Sequence, residues 1–176
     1  MSFLPRSFVL VITVLLCAGV HAQNGVRFLL YDYEPLVKNG GDWQNVGIGF
    51  DHDLTDELSC GVDMRFGLVV QSWAVQYRSA FHFSDNESGS FYMGPTIGVR
   101  DLGDDAGTKV VPLGMRIGVR GGLENFYADI YAGVNTYLGG GGIAAYTAEG
   151  DVVKLRTASF NVGLSLGYGW AGGNKR

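Results

Sequence analysis

The chain of 176 residues contains 28 glycines, about 16% of the total and roughly twice the usual frequency of ~7%. A hydrophobic fraction of 47% excludes a disordered chain, and two cysteines are too few for a disulfide framework. Only 17% of the residues are charged and the formal net charge is −4, so the chain lacks the basic field expected of a nucleic-acid-binding protein. The length suits one domain.

The first 22 residues have the pattern of a secretory signal peptide. Arg6 supplies the positive charge, Phe8 to Val20 form an apolar run, and Val20-His21-Ala22 resembles a small-residue cleavage site. An apolar run of 13 residues is too short for a helix across about 30 Å of hydrocarbon. We therefore expect export, with cleavage after Ala22 leaving Cys60 as the one cysteine of the mature chain.

The mature chain alternates apolar with glycine or polar residues, and this period of two predicts strands with two unlike faces. The pattern is clearest near the end, where apolar side chains recur at every second position from Phe160 to Trp170. The segment 26–33 has the composition of a strand but alternates poorly. In chain order, the predicted strands are 26–33, 46–54, 58–68, 73–83, 91–99, 113–120, 126–138 and 158–170.

Long and short connections mostly alternate between these strands. The connections 34–43, 101–109 and 139–157 are long, whereas the turns near 55–57 and 121–124 are short. This is typical of membrane barrels with long external loops and short periplasmic turns, provided that 26–33 is counted as the first strand. Part of the last loop, 143–157, is expected to prolong the final hairpin.

The two faces allow two interpretations. A soluble barrel points its apolar face inward, where it can bind a small apolar ligand, whereas a membrane barrel points it at lipid. The membrane arrangement is favoured because glycines share the polar face with Tyr127 and Tyr131, because strand charges are almost entirely Arg and Asp, and because the apolar faces of the last three strands carry no charge. We therefore predict an all-β, eight-stranded antiparallel up-and-down transmembrane β-barrel over 23–170.

The predicted lumen contains four acidic and five basic residues. Eight strands enclose a space that side chains can fill, so we predict a rigidifying network of ion pairs, with a small-ligand or ion site as the alternative. The lumen residues are Asp51, Asp53, Asp63, Arg65, Arg78, Arg100, Arg116, Arg120 and Asp129. Aromatic side chains at strand ends suit the membrane interface, and the tryptophans predicted to lie there are Trp43, Trp73 and Trp170.

The signal peptide, the alternation and the closing Tyr168-Gly169-Trp170 resemble the small eight-stranded bacterial outer-membrane barrels, the OmpA-barrel and OmpX-like class. The resemblance implies the fold and a location in the Gram-negative outer membrane better than it implies an activity. We predict a non-enzymatic protein with a structural or surface-interaction role through the loops 34–43, 101–109 and 139–157. Two features depart from that pattern: Pro95 falls within a strand, where we expect a bulge or break, and a short polar tail, 171–176, follows the last aromatic residue.

Other functions find little support in the residues. His82-Phe83-Ser84 has the His-x-Ser spacing of outer-membrane lipid A deacylases, but the sequence offers no clearly placed acid for a triad. No zinc spacing or phosphate-binding loop is present in the sequence, so we expect no metal or cofactor. The expected partners are outer-membrane lipid and surface ligands of the external loops, and the expected state is a monomer.

Overall fold

A computed structural model describes residues 23–35, 42–55, 57–68, 71–86, 89–102, 108–123, 125–138, 144–146, 152–154 and 156–171. Eight long strands form a closed antiparallel barrel, and two short strands form a separate hairpin. The strands are β1 (Gln23–Pro35), β2 (Asp42–Asp53), β3 (Leu58–Gly67), β4 (Trp73–Asn86), β5 (Gly89–Asp101), β6 (Lys109–Leu123), β7 (Phe126–Leu138), β8 (Ala144–Tyr146), β9 (Val152–Lys154) and β10 (Ala158–Ala171). Within these ranges no helix is long and apolar enough to cross a membrane.

Each barrel strand pairs with its neighbours in sequence, and the sheet closes where β1 meets β10. The closing pairs run from Gln23 opposite Ala171 to Tyr33 opposite Val162. The predicted eight-stranded antiparallel up-and-down barrel is therefore confirmed, with the poorly alternating segment as its first strand. The predicted signal peptide lies outside the described residues. We call the end of the barrel near Gln23 and Ala171 the terminal end, and the opposite end the loop end.

A β-bulge explains why β1 alternates poorly. Its register with β10 shifts by one residue between Leu29 and Tyr31. Arg27 and Leu29 are buried before the bulge, Leu30 and Tyr31 are both exposed, and the inward position passes to even-numbered residues from Asp32 onward. An inserted residue reverses the faces of a strand because side chains alternate with a period of two.

The expected break at Pro95 is confined to one side of β5. Pro95 pairs with Met115 of β6 in a ladder that is continuous from Gly89 to Ile97. The pairing with β4 lapses beside Pro95 and resumes in the same register, as expected for a residue without an N–H donor. The bulge of β4 lies elsewhere, between His82 and Ser84.

The expected extension of the last hairpin corresponds to β8 and β9, which pair antiparallel from Ala144 opposite Lys154 to Tyr146 opposite Val152. Its turn lies outside the described residues, as does the predicted tail beyond Ala171.

The barrel is apolar outside and polar inside. Exposed apolar side chains occur on all eight barrel strands, from Phe28 on β1 to Tyr168 on β10. Inside, tyrosine rings cover glycines of the adjacent strand, and a Cβ atom at each glycine would overlap the ring. These pairs are Tyr92 with Gly118, Tyr127 with Gly167, and Tyr131 with Gly163.

We predict that Gly163→Ala destabilises the barrel by about 1–3 kcal/mol, because the new methyl group would overlap the buried ring of Tyr131 and force it to move. Ala132→Val adds bulk to an exposed position on β7 opposite Val162 and serves as the control. The measurement is the free energy of unfolding from denaturant titration. Equal stability of the two variants would contradict this account of the glycines.

Candidate functional site in the barrel lumen

Asp63 of β3 lies at the centre of the lumen, where four arginines from four strands reach its carboxylate. Arg27 donates a hydrogen bond to Oδ1, and Arg116 Nη1 lies 3.3 Å from Oδ2. Arg65 Nη2 and Arg78 Nε are 3.6 Å and 3.7 Å from the same Oδ2. All five side chains are at most 3% exposed, so water screens these charges little.

Arg27 also connects Asp63 to a second carboxylate. Its Nη1 lies 2.7 Å from Oδ2 of Asp129 on β7, and Asp129 Oδ1 accepts a hydrogen bond of 2.6 Å from the Tyr92 hydroxyl. The guanidinium therefore bridges β3 and β7 across the lumen.

Asp51 of β2 collects the ion pairs nearest the terminal end. It accepts hydrogen bonds from Arg78, from Arg120 Nη2 at 2.9 Å and from the Tyr127 hydroxyl at 2.7 Å. The Arg120 guanidinium also lies 4.5 Å from the centre of the Tyr127 ring, a cation–π arrangement. One tyrosine therefore positions both members of an ion pair.

Asp32 of β1 is held in a similar way. Arg65 Nη1 lies 3.1 Å from its Oδ2, and the Tyr131 hydroxyl donates a hydrogen bond of 2.7 Å to its Oδ1. Arg116 stacks on the Tyr131 ring at 4.0 Å. The amide oxygen of Gln76 accepts hydrogen bonds from Arg65 at 2.5 Å and Arg116 at 3.0 Å, so a neutral group separates two like charges.

These contacts form one connected network, here called the central cluster. It consists of Arg27, Arg65, Arg78, Arg116, Arg120, Asp32, Asp51, Asp63 and Asp129.

A second network, the Glu34 cluster, lies toward the loop end. Glu34 of β1 accepts hydrogen bonds from Arg100 Nη1 at 2.6 Å, Asn135 Nδ2 at 2.7 Å and Ser159 Oγ at 2.8 Å, and also from the Tyr137 hydroxyl. Its members come from β1, β5, β7 and β10, so this cluster joins the two ends of the chain.

The predicted lumen residues fall into three groups. Arg100 belongs to the Glu34 cluster, and Asp53 is half-buried at the end of β2 opposite Ser59. The other seven belong to the central cluster: Asp51, Asp63, Arg65, Arg78, Arg116, Arg120 and Asp129.

Three charged lumen residues were not predicted from the sequence: Arg27, Asp32 and Glu34, all on β1. The adjacent Leu29-Leu30 pair was the available signal, since two consecutive apolar residues between oppositely phased polar positions are what a bulge produces.

One of the three predicted interfacial tryptophans can be placed with its side chain. Trp73 begins β4 at the loop end, is 39% exposed, and has Lys109 Nζ 5.9 Å from its ring centroid. Trp43 and Trp170 lie near strand ends in β2 and β10, but their side chains lie outside the described part of the structure.

His82, considered above as half of a His-x-Ser pair, contacts two other serines. Its Nε2 lies 2.9 Å from Ser59 Oγ and its Nδ1 lies 2.9 Å from Ser90 Oγ. Both ring nitrogens therefore lie within hydrogen-bond distance of serine hydroxyls. The side chain of Ser84 lies outside the described part. Among the described residues no group of three or more metal-ligating side chains could hold a metal ion.

No protein-family model matches this sequence, and no curated protein matches it either. Solved structures do share its fold. The N-terminal β-barrel domain of Pseudomonas aeruginosa OprF aligns with a TM-score of 0.59 at 12% identity, covering 84% of this chain and 97% of that one. Neisserial surface protein A aligns with a TM-score of 0.54 at 12% identity, covering 84% and 95%. The chain therefore has the fold of the small eight-stranded outer-membrane barrels, as the resemblance implied.

We predict that Asp63→Asn destabilises the barrel by about 3–5 kcal/mol, because it removes one partner of buried ion pairs and leaves several arginines without their shared counter-charge. Glu57→Gln neutralises an exposed carboxylate in a turn and should leave stability unchanged. Thermal and denaturant unfolding of both variants test this. An unchanged midpoint for Asp63→Asn would show that the central cluster does not stabilise the fold.

Proposed function

We propose that this chain is an integral protein of the Gram-negative outer membrane, exported with the help of residues 1–22, and that it has no catalytic activity. The main support is the distribution of charge. Among the described residues the exposed charged side chains are Glu57, Lys109 and Arg156, which lie in turns or at strand ends. An uncharged apolar belt around a sealed polar interior is the arrangement that lipid selects.

The same distribution counts against a soluble barrel with an apolar ligand. Such a protein needs an apolar cavity inside and a charged surface outside. Here the buried side chains include Arg27, Asp63 and Asp129, while Phe28 and Ile130 are 56% and 65% exposed. In water this surface would be a large aggregation liability.

We further propose a structural or surface-interaction role, carried out through the segments 34–43, 101–109 and 139–157. All three connect strands at the loop end, which faces outward if the chain termini face the periplasm. The partners proposed are membrane lipid around the belt and surface ligands at these loops. A monomer is expected because a closed barrel leaves no strand edge for pairing with a second copy.

We predict that Ile117→Arg destabilises the folded barrel in lipid by about 2–4 kcal/mol, because it places a charge near the middle of the belt, whereas Leu138→Arg at a strand end costs about 0–1 kcal/mol. Both positions are exposed, on β6 and β7. Denaturant titration of protein refolded into vesicles measures the difference.

The parent protein should be recovered in the outer-membrane fraction and migrate differently on gels before and after heating. Recovery in the soluble fraction without detergent, or equal tolerance of both arginines, would contradict the membrane assignment.

We predict that a cysteine at the loop end is labelled by an impermeant maleimide on intact cells, whereas a cysteine at the terminal end is labelled only after lysis. Ala106→Cys lies in the 101–109 connection and Glu57→Cys in the opposite turn. Both are made with Cys60→Ala, although Cys60 itself is only 4% exposed. Labelling of Glu57→Cys on intact cells would reverse the proposed orientation.

A further inference from the structure

A shallow groove crosses the outward face of β6, β7 and β10. Its volume is about 560 Å³, and its walls are exposed apolar side chains, among them Ile117, Val119 and Leu164. Ala132 lies opposite Ile117 on one side and Val162 on the other, so a small residue stands between two bulky, branched ones. The groove is therefore a depression in the apolar belt that an apolar chain can fill.

Two cationic side chains lie above this groove at the loop end. Lys109 begins β6 and Arg156 precedes β10, and both are exposed. β7 pairs with both strands and ends between them at Leu138. Among the described residues three charged side chains are exposed, and the third, Glu57, lies in a turn at the terminal end. The exposed positive charge of the described part is therefore gathered beside the end of β7.

The groove lies at the depth that a lipid chain from this rim reaches. Ala132 is six residues from Leu138 along β7, roughly 20 Å at the rise of an extended strand. With strands tilted by about 35–45°, this is roughly 15 Å along the membrane normal, half of the ~30 Å hydrocarbon thickness. An acyl chain whose headgroup lies between Lys109 and Arg156 therefore ends in the groove.

The spacing of the two cations indicates the headgroup that they suit. β7 separates β6 from β10, so Lys109 and Arg156 lie at strands two spacings apart, roughly 10 Å. That span suits two phosphates on a wide headgroup better than the single phosphate of a glycerophospholipid. The Lys109 ammonium lies 5.9 Å from the Trp73 ring centroid, and the half-buried Asp101 lies opposite Lys109. Lys109, Arg156 and Asp101 together carry one net positive charge, which favours an anionic headgroup.

From this arrangement we propose that the groove, Lys109 and Arg156 bind one molecule of an acylated disaccharide with a phosphate on each sugar, the lipid A chemistry of an outer leaflet. One acyl chain fills the groove, and each cation receives a phosphate. This inference rests on the proposed membrane location with the loop end outward, and it adds one specific lipid to the belt.

Native mass spectrometry of the full-length folded barrel in detergent micelles counts the bound lipid. We expect one bis-phosphorylated lipid A to be retained, more tightly than its monophosphorylated form or phosphatidylglycerol. Lys109→Gln and Arg156→Gln should each weaken binding about fivefold, the effect of one cation near an anionic lipid surface. Lys109→Gln combined with Glu57→Gln restores the parent net charge and should bind as weakly as Lys109→Gln alone.

A second pair of variants tests the groove itself. Ala132→Phe fills the groove and should weaken the binding of lipid A. Ile48→Phe enlarges an exposed side chain on β2, outside the groove, and should leave binding unchanged. Both positions are on the outward face, so neither variant should lower the midpoint of unfolding.

Equal retention of lipid A and phosphatidylglycerol, or equal binding by the parent, Ala132→Phe and Arg156→Gln, would overturn this inference. Insertion is measured separately, from the heat-modifiable gel mobility of protein refolded into vesicles. A barrel that inserts but shows no lipid preference contradicts only the lipid site, whereas a protein that stays soluble without detergent contradicts the proposed function.

Discussion

The closure of β1 against β10 is the constraint on which the rest of this structure depends. In hydrocarbon an unpaired backbone N–H or C=O group has no water to bond, so a sheet is stable there only when it has no edges. Closure also directs the inward side chains of β1 into the lumen, where Arg27 reaches Asp63 and Asp129 and Glu34 contacts residues of β5, β7 and β10. The ion pairs made by Arg27, Asp32 and Glu34 therefore depend on where closure places β1.

The interior is stabilised by shared rather than isolated ion pairs. A buried pair often gains little because both partners lose their hydration, but removing one partner is costly. Here Asp63 is shared among several guanidiniums, and tyrosine hydroxyls complete the bonds of Asp51 and Asp32. Such a network favours one arrangement of eight strands over others in different register, because a slip would leave charges unmatched.

The apolar-out, polar-in arrangement of the strands could be predicted because successive predicted strands showed the same alternation of apolar with polar or glycine residues. From β2 to β10, apolar residues at every second position almost always marked the outward face. Asp63, Arg116 and Asp129 occupy the alternate positions, so the sequence alone assigned them to the lumen. The alternation rule failed at β1, because the residue inserted at Leu30 reverses which side chains of that strand point inward. The proline in β5 correctly indicated the break in pairing with β4 beside Pro95, but no sequence signal indicated the register shift between His82 and Ser84.

From β2 to β10, composition and period together were enough to assign the outward apolar face and the inward polar face, because that assignment depends only on the alternation of a strand. They could not determine which arginine binds which carboxylate. Arg27 and Asp129 are 102 residues apart in sequence, and their contact depends on barrel closure, on the register of every intervening strand and on the bulge in β1. Only the tertiary structure could decide these pairings.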